Sequence, residues 1–94
     1  MMKVQQEDND KKGEFYIEVE GNRAALMTYT WAGKDKLIID HTEVNNTLRG
    51  KGVGYKLVAA SVEFARSKNI KIFPLCPFTK SVFDKKPEYS DVLA

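Results

Sequence analysis

Gly50, Gly52 and Gly54 alternate in the segment Arg49-Gly50-Lys51-Gly52-Val53-Gly54, with Arg49 and Lys51 beside them. Glycine accepts positive φ and lets a ligand come close to the backbone. The first N–H groups of a helix have no partner inside it, and they sit at the positive end of its dipole. A glycine-rich segment that opens a helix therefore suits a phosphate. The two cations add charge of the right sign. The same glycines would also serve a tight strand-to-helix turn with no ligand at all. Two other phosphate loops do not fit. A P-loop needs a Gly-Lys-Ser/Thr ending, which is absent. A dinucleotide fingerprint needs a further glycine where Leu57 stands, and a longer alternating βα chain.

The rest of the chain limits what this loop can belong to. Its 94 residues make one domain and not two. Apolar residues are 43% and charged residues 30%, as in a soluble globular protein with one modest core. Fifteen basic against 13 acidic side chains give a formal charge of +2. That is far from the basic excess of a nucleic-acid binder, so no nucleic-acid partner is expected and any anion site must be local. Cys76 is the one cysteine and cannot form an intrachain disulfide, which favours a reducing, cytoplasmic setting. No apolar run reaches the ~18 residues of a membrane-spanning helix. Met1 to Lys12 is mostly polar and lacks the apolar centre of a signal peptide. Neither a membrane nor a metal is expected.

The loop needs a strand before it and a helix after it. Residues 1–12 read as a solvated, frayed lead-in, and residues 13–94 as the domain. Phe15, Ile17 and Val19 alternate with polar neighbours, which predicts a strand with one buried face. Gly21-Asn22 is a hairpin signal. A second strand covers Arg23 to Trp31, with Ala25, Met27, Tyr29 and Trp31 on one face. Gly33-Lys34-Asp35 turns the chain into a third strand, Lys36 to Val44. Asn45-Asn46-Thr47 is a polar loop. Val53, Leu57, Ala60 and Phe64 then recur at helical spacing, predicting a helix from about Gly52 to Lys68 with Asn69 as a left-handed cap. Ile70 to Cys76 reads as a fourth strand, parallel to the third. Ser81 to about Glu88 reads as a short second helix. The order is β-β-β-α-β-α, an α+β domain.

Arg49-x-x-Gly52-x-Gly54 resembles the coenzyme-binding motif of the GCN5-related N-acetyltransferases. His41-Thr42-Glu43-Val44, Leu48 to Gly54 and Pro74-Leu75-Cys76-Pro77-Phe78 together resemble a subgroup of very short members found in bacteria and plants. The resemblance runs from about Phe15 to Tyr89. Asn45-Asn46 departs from it, since relatives often carry prolines there. It implies a mixed sheet in which the antiparallel meander ends in a splayed parallel strand pair, with the pantetheine arm of acetyl-CoA entering the V. Pro74 suits that splay, because it lacks an N–H for the ladder. Backbone groups of Thr42, Glu43 and Val44 would pair with the arm. The N–H groups of Arg49, Gly50, Lys51, Gly52, Val53, Gly54 and Tyr55 would hold the pyrophosphate. Phe78 and Phe83 would flank the arm or fix the last helix. Lys80, Lys85 and Lys86 would form a solvated face or meet the 3′-phosphate.

The implied activity is acetyl transfer from acetyl-CoA to an amine. This needs a deprotonated amine, help for the oxyanion and a proton for the leaving thiolate. Cys76, His41, Glu43 and Tyr55 are the candidates. One route has Cys76 take the acetyl group, activated by His41 across the V. The other is direct transfer, with Glu43 as base and Cys76 lining the pocket or protonating the thiolate. A free cysteine is only slightly ionised at neutral pH and is more often a small buried hydrophobe. The tight turn between the first two strands leaves no room for the helices with which larger relatives build an acceptor wall. The acceptor site is thus expected to be open, suiting a macromolecular amine, or absent, leaving a coenzyme-binding or regulatory module.

Overall fold

Alternation along the first half of the chain becomes an antiparallel meander. The computed structural model describes residues 3–94, so Met1 and Met2 of the expected polar lead-in lie outside the described residues. The elements are β1 (Gln5–Asp8), β2 (Lys12–Val19), β3 (Asn22–Trp31), β4 (Lys36–Val44), α1 (Val53–Lys68), β5 (Lys71–Pro74) and α2 (Pro77–Lys85). Short 3-10 turns cover Asn46–Leu48 and Pro87–Val92. The strands form a single sheet in the order β1-β2-β3-β4-β5. Every neighbouring pair is antiparallel except β4 and β5, which are parallel as expected.

Part of the segment read as frayed is a strand. Gln5–Asp8 is exposed throughout, yet it pairs with β2 in the register Gln5↔Tyr16 to Asp8↔Gly13. Its polar composition hides it, because backbone pairing and one side-chain cluster hold it. Tyr29 Oη and Trp31 Nε1 donate to Asp8 Oδ2 at 2.5 and 2.9 Å, and Gln6 Nε2 donates to Tyr29 Oη at 2.8 Å. Tyr29 lies directly over Gly13, where any Cβ would collide with the ring and with the Glu7 carbonyl. The order is therefore β-β-β-β-α-β-α.

Other boundaries move for local reasons. The β2–β3 loop is Glu20-Gly21, one residue earlier than expected, with both residues at positive φ. A register shift at Ile17/Glu18 leaves Ala24 as an extra residue of β3. Tyr16 is buried on the opposite face to Phe15 and Ile17, with the Arg23 guanidinium 3.8 Å over its ring, while Val19 at the strand end is exposed. β5 ends at Pro74 rather than Cys76. α2 starts at Pro77, not Ser81: proline at the first helical position sacrifices no hydrogen bond. It stops at Lys85, because Lys86 precedes Pro87.

α1 follows its apolar spacing. Val53, Leu57, Val58, Val62 and Ala65 are buried, and burying one such valine or leucine side chain contributes about 1.5–3 kcal/mol. Asn69 takes the left-handed cap, its N–H donating to the carbonyls of Ala65 and Arg66. Phe64 packs on Phe15, Tyr29 and Trp31 at ring-centroid distances of 5.9, 6.4 and 6.1 Å. α2 lies on the same sheet face, where Thr79 Oγ1 donates to Met27 Sδ. Among the described residues no helix covers the opposite face.

A second irregularity decides which β4 side chains meet the helices. Thr28 pairs with His41 but Tyr29 pairs with Ile39, so Asp40 is an extra residue. Its carboxylate accepts from Thr28 Oγ1 and Thr30 Oγ1 on the open face. Strict alternation from Leu37 and Ile39 would put His41 and Glu43 on the helix face. The bulge puts Thr42 and Val44 there instead.

Candidate functional site

β4 and β5 pair from Lys36↔Lys71 to Ile39↔Pro74, and the Cys76 N–H donates to the Ile39 carbonyl at 2.9 Å. Beyond that point β4 runs on to Val44 beside β3 alone. The two strands thus part in a V whose inner end holds Thr42 and Cys76.

The loop after β4 is built to open α1. Asn45 Oδ1 accepts from the Thr47 N–H at 2.9 Å and from Thr47 Oγ1 at 3.0 Å, while the Asn45 N–H donates to the Ala24 carbonyl at 2.7 Å. Asparagine thus fixes the bend with side-chain bonds. Leu48 is buried and anchors the far side. Gly50 and Gly52 have φ of 80° and 70°, the left-handed region that favours glycine. Gly54 is needed for a different reason: a Cβ there would lie 2.5 Å from Phe78 Cζ.

The first bonded amide of α1 is that of Lys56, donating to the Gly52 carbonyl at 3.2 Å. The N–H groups of Gly52, Val53, Gly54 and Tyr55 have no acceptor among the described residues. Those of Arg49 and Lys51, also expected to face a ligand, donate instead to the carbonyls of Asn46 and Leu48. The free amides open on a cleft of about 380 Å³. Thr42, Val44, Arg49, Gly50, Gly52, Val53, Gly54, Tyr55 and Phe78, all singled out from sequence, line it. Lys51 does not and is exposed. Leu48 lines it too and was not anticipated as a site residue. An arc of unbonded amides beside left-handed glycines fits a pyrophosphate, and the mainly apolar wall behind it fits an uncharged arm.

Cys76 is buried beside the V, with Sγ 3.4 Å from Thr42 Oγ1. Burial pushes its thiol pKa up. Hydrogen bonds with Thr42, with the Thr79 and Phe78 amides and with the Thr79 hydroxyl outweigh that, so the thiol lies below its ordinary value. Thr79 escaped the sequence reading. Pro77 as the first residue of a helix was the signal that places Thr79 in its opening turn.

The expected Cys76–His41 pair does not form. His41 Nε2 is 3.0 Å from Glu43 Oε2, and both side chains are exposed on the open face. The bulge at Asp40 is the reason: it leaves Thr42, not His41, facing the thiol. A larger groove of about 770 Å³ also lies on the sheet, but Glu7, Asp8, Glu14 and Asp40 line it and would repel a phosphate. Among the described residues no three His, Cys, Asp or Glu side chains gather as metal ligands do.

A match to the GCN5-related N-acetyl-transferase family covers residues 14–92, and the chain belongs to that family. The solution structure of a GCN5-like protein from Staphylococcus aureus is 40% identical, with a TM-score of 0.77 over 98% of this chain and 87% of that one. Protein NATD1 of Xenopus tropicalis is 25% identical over 89% of this chain and 78% of its own length. A GNAT family acetyltransferase from Elizabethkingia anophelis, with acetyl-CoA bound, shares the fold at 12% identity and a TM-score of 0.61, over 82% of this chain and 53% of that one. The α+β mixed sheet with its parallel β4–β5 pair is the fold of this family.

Proposed function

We propose that the protein is an acetyl-CoA-dependent N-acetyltransferase. The observation that carries this is the row of free amides from Gly52 to Tyr55, opening on a cleft that reaches Thr42, the neighbour of Cys76 across the V. Acetyl-CoA on the related fold from Elizabethkingia anophelis supports the choice of coenzyme. Bound there, it would supply an acetyl thioester already activated for attack by an amine.

The protein's own residues then divide the work. The α1 amides hold the pyrophosphate, and backbone groups of Thr42 to Val44 align the arm. His41 and Glu43 lie on the open side of the V. Glu43 accepts the proton of the incoming amine, with His41 3.0 Å away to share it. The Cys76 thiol, held by Thr42, protonates the leaving thiolate and is reprotonated through solvent. Direct transfer is favoured over an acyl-cysteine route, because among the described residues the side chain hydrogen-bonded to Cys76 Sγ is the Thr42 hydroxyl, while His41 pairs with Glu43 on the other face. The acceptor is an amine that reaches an uncovered sheet face, which suits a macromolecular one.

A coenzyme-binding module without turnover is the second reading. It is favoured by the tight Glu20-Gly21 turn, since among the described residues no helix between β2 and β3 walls that face. Calorimetric titration with acetyl-CoA, followed by an amine and protein screen for released thiol, separates these readings. Saturable binding with turnover on at least one amine is expected. No binding up to millimolar acetyl-CoA contradicts both. Binding with no turnover on any acceptor leaves the module.

A further inference from the structure

Both helices pack on one side of the sheet, and cross-strand pairing sets the side chains of the uncovered side in rows. Phe73, Ile38, Thr30 and Lys12 form one row. His41, Thr28, Glu14 and Glu7 form the next, and Glu43, Leu26 and Tyr16 a third. The two ends of this face differ in chemistry. At the β5 end Phe73 is 44% exposed beside the half-buried Ile38, and Leu75 just past the strand is 59% exposed. At the β1–β2 end Glu7, Glu14 and Asp40 line the groove of about 770 Å³, with Asp8 at its margin. The His41–Glu43 pair stands between the apolar end and the acidic one.

The charge of the groove is not balanced from within. One guanidinium, that of Arg23, serves both Glu7 and Glu14 at 2.8 Å. Asp40 accepts from the Thr28 and Thr30 hydroxyls, and Asp8 from Tyr29, Trp31 and the Asp10 amide. Among the described residues no cationic side chain lies within 4 Å of either carboxylate. Lys12 is the cation among the lining residues. Two strand spacings, about 10 Å, separate His41 from Glu14 along their row, and an extended chain covers that in about three residues.

We infer that this face docks an extended, lysine-rich segment of another protein. One lysine amine lies at the His41–Glu43 pair, and a second cation, about two to four residues away, enters the groove beside Glu14 and Asp40. Phe73 and Leu75 take an apolar residue on the opposite side. The inference rests on the acetyl transfer proposed above and names the class of its acceptor. In that step the lysine nitrogen gives its proton to Glu43 and bonds to the acetyl carbon. The thioester C–S bond breaks, and the coenzyme thiolate takes a proton from Cys76.

The test is an amide proton–nitrogen titration of the full chain, without coenzyme, using a blocked Gly-Lys-Gly-Lys-Gly-Lys peptide. In the control peptide the outer two lysines are glutamate. The lysine peptide should shift Glu7, Glu14, Thr28 and Asp40 and leave Gly52 to Tyr55 still. It should bind about tenfold or more tightly than the control, and less tightly as salt rises. Asp40→Asn, which keeps an acceptor for both threonines, should weaken it about threefold, and Lys12→Ala, which removes the competing cation, should strengthen it. A leucine added at one end of the peptide should raise affinity, and Phe73→Ser should cancel that gain. Equal affinity for the two peptides, or shifts confined to the α1 cleft, overturns the docking surface. Concentration-dependent shifts on this face in the protein alone assign it to a second copy of the chain and overturn it as well. If acetyl-CoA binds and the docked peptide is not acetylated, the face is not the acceptor site. If the peptide docks and acetyl-CoA does not bind, the coenzyme reading falls and the docking surface stands.

Discussion

Cys76 Sγ and Thr42 Oγ1 stand 3.4 Å apart across the V between β5 and β4. The contact joins the only thiol of the chain to the strand that would align the acyl arm. As a thiol, Cys76 donates to the hydroxyl; as a thiolate, it accepts from it. Removing the hydroxyl should therefore raise the thiol pKa. Thr42→Val is expected to shift the ultraviolet thiolate titration of Cys76 to higher pH and to slow thiol alkylation at neutral pH. An unchanged titration would mean that the α2 amides alone set the thiol.

Cys76→Ser should separate the two chemical roles open to the thiol. Loss of a positioned general acid typically costs about 10²–10⁴-fold in rate. A fall of that order in kcat, with acetyl-CoA affinity unchanged, is expected for the proton-donor role. Intact mass after incubation with acetyl-CoA should show no acetyl adduct on wild type. A stoichiometric adduct on Cys76 would replace direct transfer by the acyl-cysteine route.

His41 and Glu43 lie on the other face and should act on the acceptor side only. Glu43→Gln is expected to lower kcat about 10²-fold or more without altering acetyl-CoA affinity. A change in coenzyme affinity equal to the change in rate would place Glu43 in coenzyme binding instead.

Gly54 and Phe78 should be coupled. Gly54→Ala puts a Cβ 2.5 Å from Phe78 Cζ, so the ring must move from the cleft wall. The substitution should lower stability by about 1–3 kcal/mol, as overpacking does, and weaken coenzyme binding. In a Phe78→Leu background the stability loss should shrink. Additive effects would show that the ring yields freely. Gly52→Ala differs: nothing lies within 4 Å of its Cβ, so its cost is backbone strain at φ 70°, about 1 kcal/mol, whatever stands at 78.

The Asp8 clasp should make stability depend on acid. Burial raises the Asp8 pKa, but donors from Tyr29, the Asp10 amide and Trp31, together with the charge of Lys68, outweigh it and leave it lowered. A folded pKa below the unfolded value of about 3.9 adds stability above that pH, which is lost as pH falls through the folded pKa. Asp8→Asn should abolish this acid-dependent part and lower stability at neutral pH by about 1 kcal/mol, since the carboxylate is largely exposed. A wild-type acid melting profile identical to that of the variant would contradict the clasp.

Much of this was legible in the residues. Glycine alternation before an apolar helical stripe located the cleft, and Thr42, Val44, Phe78 and the segment from Arg49 to Tyr55 line it, with Lys51 and Glu43 the exceptions. What stayed hidden depends on features that leave no local pattern. β1 is polar on both faces and is held by partners more than 20 residues away in sequence. The bulge at Asp40 looks like any other exposed aspartate, yet it reverses the facing of everything after it. That single extra residue turned an expected Cys76–His41 pair into Cys76–Thr42 and sent His41 to the open face.

The most direct test of the coenzyme cleft is an amide proton–nitrogen spectrum recorded while acetyl-CoA is added. The largest shifts should fall on Gly50, Gly52, Val53, Gly54 and Tyr55, with smaller ones at Thr42 to Val44. Glu7, Glu14 and Thr30 in the acidic groove should stay still. Shifts centred on that groove, or none at millimolar acetyl-CoA, would contradict the account.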